Sequence, residues 1–392
     1  TIFLCPIAGA LVDRWNRKVV MLLSDLAAAF ATAALLTLYV TGHLRLWHLY
    51  AANGFIGAFG AFQFPAFSAA ITTLVPKSQY ARANGLMWLS GPTATVFGPI
   101  LAASLVGVIG VGGVMVVDLL TAAVALTILI SRHIPQPKSR GGRETKGKHL
   151  LNDVVYGFRY IIERPSLLGL QLVFFAKNVF SYPVQVVLLA PMVLARTGNN
   201  EMLLGAVQSL GAVGGLIGGL ALSAWGGPRR RIHGVLLGMA AMRLFGQCVL
   251  GMGRVGLIWM AANFTIFFFT PVINGANQAI WQAKVDPSRQ GRVFSARRLI
   301  AQFPTSFAMT LVGPLADRFF EPAMAPGGAL TPQFGWLVGT GPGAGMALMM
   351  VLGGVVGALV GLAGYMVPMI RDVEELLHDH DFDPRRWAAA AD

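Results

Sequence analysis

The chain has 392 residues, 55% of them hydrophobic and only 12% charged, and carries a net charge of +13. A soluble domain is about a quarter charged, so this composition excludes a soluble globular protein. Strands of alternating polarity, which a membrane barrel needs, are missing from the sequence, and the reading is an all-α membrane protein with many spans.

The first element, residues 1–12, is an apolar stub. It is too short to cross a hydrocarbon core of about 30 Å, which takes roughly 20 helical residues. No initiator Met, basic flank or cleavage site is visible, so the expectation is a chain that begins partway along a membrane helix. Apolar segments then follow at 19–40, 49–75, 84–109, 112–131, 166–195, 202–226, 234–252, 255–283, 293–316 and 342–370. The one long polar stretch, 132–165, opens "RHIPQPKSRGGRETKGK". Beyond it Leu150, Leu151, Val154, Val155, Phe158, Ile161 and Ile162 recur at helical spacing, which predicts an amphipathic helix lying on the membrane surface. The expected division is a first half-bundle at 1–131, a linker with this helix at 132–165, a second half-bundle at 166–370, and a tail at 371–392.

Alternating the connections sorts the basic residues. Of 30 Lys and Arg, 24 fall on one side, whereas Arg45, Arg196, Arg254 and Arg318 fall on the other and Lys177 and Arg243 lie within helices. The positive-inside rule makes the first side cytoplasmic. Topology thus accounts for the positive charge, and no basic stripe with interleaved aromatics marks a nucleic-acid partner. Cys5 and Cys248 both sit in apolar segments, which speaks against a disulfide framework or metal cluster. No zinc spacing, nucleophile elbow or other catalytic constellation is found, so neither an enzyme nor a cofactor is expected.

The segments on either side of the linker echo each other. "FP" at 64–65, "VP" at 75–76, Arg82 and "GPILA" at 98–102 are matched by "TP" at 270–271, "VDP" at 285–287, Arg292 and "GPLA" at 313–316. Val75 to Arg82 and Val285 to Arg292 are both seven residues. Parallel repeats about an axis along the membrane normal are a common transporter architecture.

Four charges fall inside apolar segments, where charge is costly and faces a cavity or a partner. Asp25 lies two turns into its helix and either pairs with Arg14 or Arg17 or is protonatable; Asp118 is either a proton carrier or a hydrated helix-end residue. Lys177 is near mid-helix and shares one polar face with Gln171, Asn178, Ser181 and Gln185; Arg243 either faces the cavity or braces helix packing. A second polar face carries Asn263, Thr270, Asn274, Asn277 and Trp281, and a weaker one Asn53, Gly57 and Gly60. Each is either a cavity wall or polar glue between helices. The stripes Gly211, Gly215, Gly219 and Gly353, Gly357, Gly361 read as close helix packing. "GTGPGA" at 339–344 has no preceding strand and is no dinucleotide site, and "HDHDFD" at 378–383 reads as a solvated tail.

"GALVDRWNRK" at 9–18 resembles the signature G-x-L-x-D-R-x-x-R-K of the major facilitator superfamily, with Gly9, Leu11, Asp13, Arg14, Arg17 and Lys18 matching and Asn16 in place of Gly. "FGPILAA" resembles that family's antiporter signature on helix 5, where Gly98 and Pro99 match while Ala94, Ala102 and Ala103 replace Gly. Passages such as "VPKSQYARANGL" and "DPSRQGRVFSARRLIAQ" are similar to the macrolide-efflux branch, which includes siderophore exporters. The resemblance implies the major facilitator fold, two pseudo-symmetric six-helix halves, with helix 1 and the start of helix 2 missing here. It implies a conformational latch in which Gly9, Asp13, Arg14, Arg17, Lys18 and Asp25 take part, Asp13 facing the amino end of helix 11. It also implies a kink at Gly98–Pro99 and a substrate cavity that helix 7 lines.

The expectation is a proton-coupled exporter of a small amphiphilic molecule, a drug, macrolide or siderophore, acting as a monomer by alternating access in a bacterial inner membrane. Asp25 and Asp118 are the proton-coupling candidates, and the bilayer, the substrate and protons are the partners. A lysophospholipid-type flippase and a non-transporting scaffold or sensor are the alternatives.

Overall fold

The computed structural model describes residues 5–135 and 150–380, and among these only helices and connections occur. Helix α1 is Cys5–Arg14, α2 Arg17–Val40, α3 Leu46–Leu74 and α4 Tyr80–Ser131. Helix α5 is Leu150–Ile162. The second bundle comprises α6 Pro165–Thr197, α7 Glu201–Trp225, α8 Arg231–Met252, α9 Gly256–Lys284, α10 Pro287–Ala323, the short α11 Thr331–Val338, and α12 Ala344–Met366. Nine described stretches are long and apolar enough to cross a membrane. The linker residues 136–149 and the tail residues 381–392 lie outside the described residues, so the expectations placed on them stand as stated.

Where two segments were expected at 84–109 and 112–131, one helical run turns back on itself at Gly110, whose φ of 68° lies in the left-handed region. Only glycine enters that region at no steric cost, so a single residue replaces a loop. At Gly98–Pro99, where the kink is expected, φ and ψ stay helical, and the non-helical residue of the run is Gly110. A Cβ on Gly98 would meet nothing within 4 Å.

The second bundle holds most of the buried core, including Leu188, Met192, Leu236, Met239, Trp259, Ile280 and Trp281. The first bundle buries mainly small residues: Ala8, Ala10, Ala61, Ala66, Ala69 and Ala70. Large apolar residues such as Val108, Leu120, Val124 and Ile130 point outward, as lipid-facing helices require.

Glycine stripes set the packing distances. A Cβ on Gly215 would fall 2.7 Å from Pro92, on Gly219 2.5 Å from Leu89, and on Gly357 2.6 Å from Ser181. These helices approach so closely that only hydrogen fits between them. Both repeats also share one backbone device. Helix α3 ends at Leu74, is capped by extended Val75 and is followed by a 3-10 turn at Lys77–Gln79; α9 ends at Lys284, is capped by extended Val285 and is followed by a 3-10 turn at Pro287–Arg289. Glu321 closes the opposite end of the second bundle, accepting from the Gly343 and Met346 amides at 3.0 and 2.8 Å at the start of α12. A carboxylate is stabilised at such a helix N-terminus.

Candidate functional site

The two bundles are joined most tightly at the end to which the Lys and Arg distribution gives the cytoplasm. Asp13, at the end of α1, inserts its carboxylate into the first turn of α10. Its Oδ1 accepts from the Gly291 amide at 2.7 Å, and its Oδ2 from the Arg292 amide at 2.9 Å and Arg292 Nε at 3.2 Å. The side chain is 2% exposed. Burial pushes its carboxyl up to about 6, against the opposing pull of these donors and of the Arg292 and Arg17 charges.

Glycines make the insertion possible. A Cβ on Gly291 would lie 2.5 Å from both Gly9 O and Asp13 Oδ1, and one on Gly9 would lie 2.5 Å from Ser295 Cβ. Arg17 is buried and crosses the same seam, donating to Ala69 O at 2.7 Å and to Pro287 O. Lys18 turns away from it and donates to Ile130 O at 2.7 Å. The Arg14 side chain lies outside the described ones.

A ladder of neutral polar side chains continues the seam. Thr72 donates to Gln290 Oε1 at 3.1 Å, Asn84 to Gln282 Oε1 at 2.7 Å, and Gln282 to Ser68 O at 2.9 Å. The equivalent junction of the other repeat sets the end of α7 against the start of α4, where a Cβ on Gly226 would approach Arg82 Nε to 3.1 Å. Gly226 and Gly227, both at positive φ, follow α7 there.

The segment read as a solvated tail begins docked. His380 is 8% exposed, its amide donates to Ala283 O at 3.0 Å, and its carbonyl accepts from Lys77. Asp379 pairs with Lys284 at 2.8 Å, and Glu374 accepts from the Ile232 amide at 3.0 Å. Burial and the Lys77 charge hold the His380 imidazole down at about 4. The loops it covers bury enough surface to keep it neutral, which composition could not reveal.

Asp25 stands apart from this seam. Gln63 donates to its Oδ1 at 2.7 Å, while the Arg17 guanidinium donates to the backbone carbonyls of Ala69 and Pro287. Asp118 is exposed and accepts from Thr32 at 3.0 Å, joining α2 to α4. The two proton-coupling candidates thus have separate partners.

The expected polar faces divide. Asn263 is fully buried and donates to Val207 O at 2.9 Å, so it joins α9 to α7. Thr270 bonds its own helix at Ile266 O. Asn274 is partly exposed, while Asn277 is buried with its oxygen unpartnered. Asn53 is exposed and bonds Leu49 O on its own helix. On α6, Gln171 donates to Arg297 O at 3.2 Å and Asn178 to Ala301 O at 3.4 Å, so these two bind α10.

Ser181 and Gln185 meet Arg243. Its Nη1 donates to Gln185 Oε1 at 3.1 Å and to Gln247 Oε1, and Ser181 donates to Gln247 Oε1 at 2.9 Å. Lys177 is 9% exposed and lies 5.2 and 5.7 Å from the Phe174 and Tyr182 rings. Lys177 and Arg243 each sit in a wide π-helical turn, Lys177–Ser181 and Met242–Cys248. Arg297 and Arg298, counted above with the cytoplasmic connection, instead lie two turns inside α10, because that helix begins earlier than its apolar run. Moving them leaves the basic bias, and so the orientation, unchanged.

Two helical bundles pinned together at one end, with ionisable groups held between their spans, define a polytopic membrane transporter. The profile of the Major Facilitator Superfamily matches residues 1–309, and the chain belongs to that family. Macrolide efflux protein A of Streptococcus pyogenes is 27% identical over 320 residues, which is 80% of this chain and 77% of that protein. The class C tetracycline resistance protein of Escherichia coli is 30% identical over 305 residues, 74% of this chain and 71% of that one. Among solved structures, the human organic anion transporter MFSD10 superposes with a TM-score of 0.67 at 18% identity, covering 92% of this chain and 80% of that one.

Proposed function

We propose that this transporter exports a small amphiphilic molecule from a bacterial cytoplasm across the inner membrane, driven by protons and working by alternating access as a monomer. The observation that carries the reading is the Asp13 carboxylate seated between α1 and α10, because it ties one bundle to the other at a single end. A contact of this kind holds one face shut and must break for the other state to form. In this reading 1–131 and 166–370 rock against each other, 132–165 tethers them, and 371–392 is a cytoplasmic tail. The relatives named for macrolide efflux and tetracycline resistance support export over uptake.

Proton coupling falls to Asp25 and Asp118, the carboxylates within the spans of the first bundle, each held by a neutral partner, Gln63 and Thr32. A carboxylate with no fixed counter-ion can gain and lose a proton without breaking an ion pair. The test is uptake of a radiolabelled macrolide and of tetracycline into inverted vesicles acidified inside. Uptake that collapses with a protonophore, and with Asp25→Asn or Asp118→Asn, is expected. Uptake indifferent to the pH gradient would remove the coupling claim.

A further inference from the structure

The spans of the second bundle carry cations and no matching acids. Among the described residues, α6, α8, α9 and α12 contain no Asp or Glu, and those of α10, Asp317 and Glu321, lie at its far end. Against this stand Lys177 on α6, Arg243 on α8, and Arg297 and Arg298 on α10.

Each of these cations rests on neutral groups. Arg243 is held by the Gln185 and Gln247 amide oxygens, with its Nε buried and unpartnered. Arg297 donates to Gln278 Oε1 at 2.8 Å and lies 5.0 Å from the Trp281 ring. Arg298 reaches Gln302 Oε1 at 3.2 Å and the Phe64 ring at 5.0 Å, with Nη1 buried and unpartnered. Lys177, nine-tenths buried, has two aromatic faces and no oxygen acceptor. The helices that carry them adjoin, since Gln171 and Asn178 of the Lys177 helix bond the backbone of α10 at Arg297 and Ala301.

Amide oxygens and aromatic faces soften a buried charge but do not neutralise it. Four cations in low dielectric with no acid among them create a positive field that an anion relieves. The aromatic rings around them suit an apolar body next to the charge. We infer that this face of the second bundle, centred on Lys177 with Arg298 and Arg243, binds the anionic group of an amphiphilic organic acid. The inference rests on the exporter reading, whose substrate class it narrows.

Three probes that share one fluorophore separate charge from apolar affinity: dansylglycine (anionic), dansylamide (neutral) and dansylcadaverine (cationic). Fluorescence titration of the purified full chain is expected to show dansylglycine binding at least tenfold tighter than the other two. That preference should be lost in Lys177→Gln and weakened in Arg298→Gln, and kept in Lys177→Arg, with melting temperatures near the parent's. Equal binding of all three probes, preference for the cation, or a Lys177→Gln variant with the parent's preference would overturn the inference. Efflux of the same probes from proteoliposomes separates it from the reading it rests on. Efflux without anion preference leaves the exporter standing and removes the anion site. Anion preference without efflux of any probe does the reverse.

Discussion

Gly9→Ala tests the seam most directly. The new methyl would lie 2.5 Å from Ser295 Cβ and would overlap the Gly291 carbonyl oxygen, which belongs to the backbone of α10 and cannot rotate away. Carbon atoms settle at about 3.5–4.0 Å, so α1 and α10 must part by about 1 Å. The Asp13 bonds to the Gly291 and Arg292 amides, 2.7 and 2.9 Å long, would stretch to about 3.8 Å, beyond hydrogen-bond range. Hydrogen bonds to a charged group contribute about 1.5–3 kcal/mol each, and the better helix propensity of alanine is gained in both states and does not offset their loss. Losing two of them, about 3–6 kcal/mol against the closed seam, is a population shift of at least about 100-fold. The assay is labelling by an impermeant maleimide at Ser68→Cys, a position fully buried beneath Gln282, in a background with Cys5 and Cys248 replaced by Ala. Labelling from the cytoplasmic face should quicken by at least about 100-fold. An unchanged rate in a variant of normal melting temperature would refute the reasoning.

Further outcomes follow from the same geometry. Because burial raises the Asp13 carboxyl to about 6 from 3.8, the closed seam binds a proton that the open one does not. Its proton-linked stabilisation is full below about 4 and lost as pH rises through 6, so lowering cytoplasmic pH from 7 to 5 should slow Ser68→Cys labelling by roughly tenfold. Asp13→Asn should flatten that response; His380, held neutral down to about 4, opposes it, since its protonation loosens the docked tail as pH falls from 6.5 toward 4. Truncation after Leu377 removes the Asp379–Lys284 pair and the His380 contacts, and should speed the same labelling at pH 7 without lowering the melting temperature of the bundles. Gly214→Ala, whose Cβ would come within 3.0 Å of the Phe264 backbone and overlap its carbonyl, should lower stability by about 1–3 kcal/mol. Gly98→Ala meets open space on a helical backbone and should instead raise it by up to about 1 kcal/mol. Thermal melts in detergent check both.

How far the sequence could be read depended on whether a signal was local. The Gly, Asp and basic spacing of "GALVDRWNRK" and the paired Val–Pro turns are short-range patterns, and they marked both the loop at 9–18 and the connections that α10 and α4 begin from. Arg297 and Arg298 could not be separated from the basic connection, because the start of a helix is not fixed by hydropathy alone. Asn263 and Asn178 carried the same signature, yet one seals α9 against α7 and the other bonds α10. Spacing gives a polar residue its face on a helix but not the helix opposite it.

The sequence alone determined that this is a helical membrane protein and which family it resembles, and its Lys and Arg bias gave the expected orientation, since hydrophobic length, charge bias and short motifs are properties of neighbouring residues. Only the tertiary structure decided that Asp13 meets Gly291 and Arg292 nearly 280 residues away, that Asp25 turns to Gln63, and that His380 packs beneath Lys77. It also gave four cations on three adjoining helices neutral amide and aromatic partners in place of acids. Each of these depends on which helix a side chain finds opposite, and close packing of whole bundles sets that.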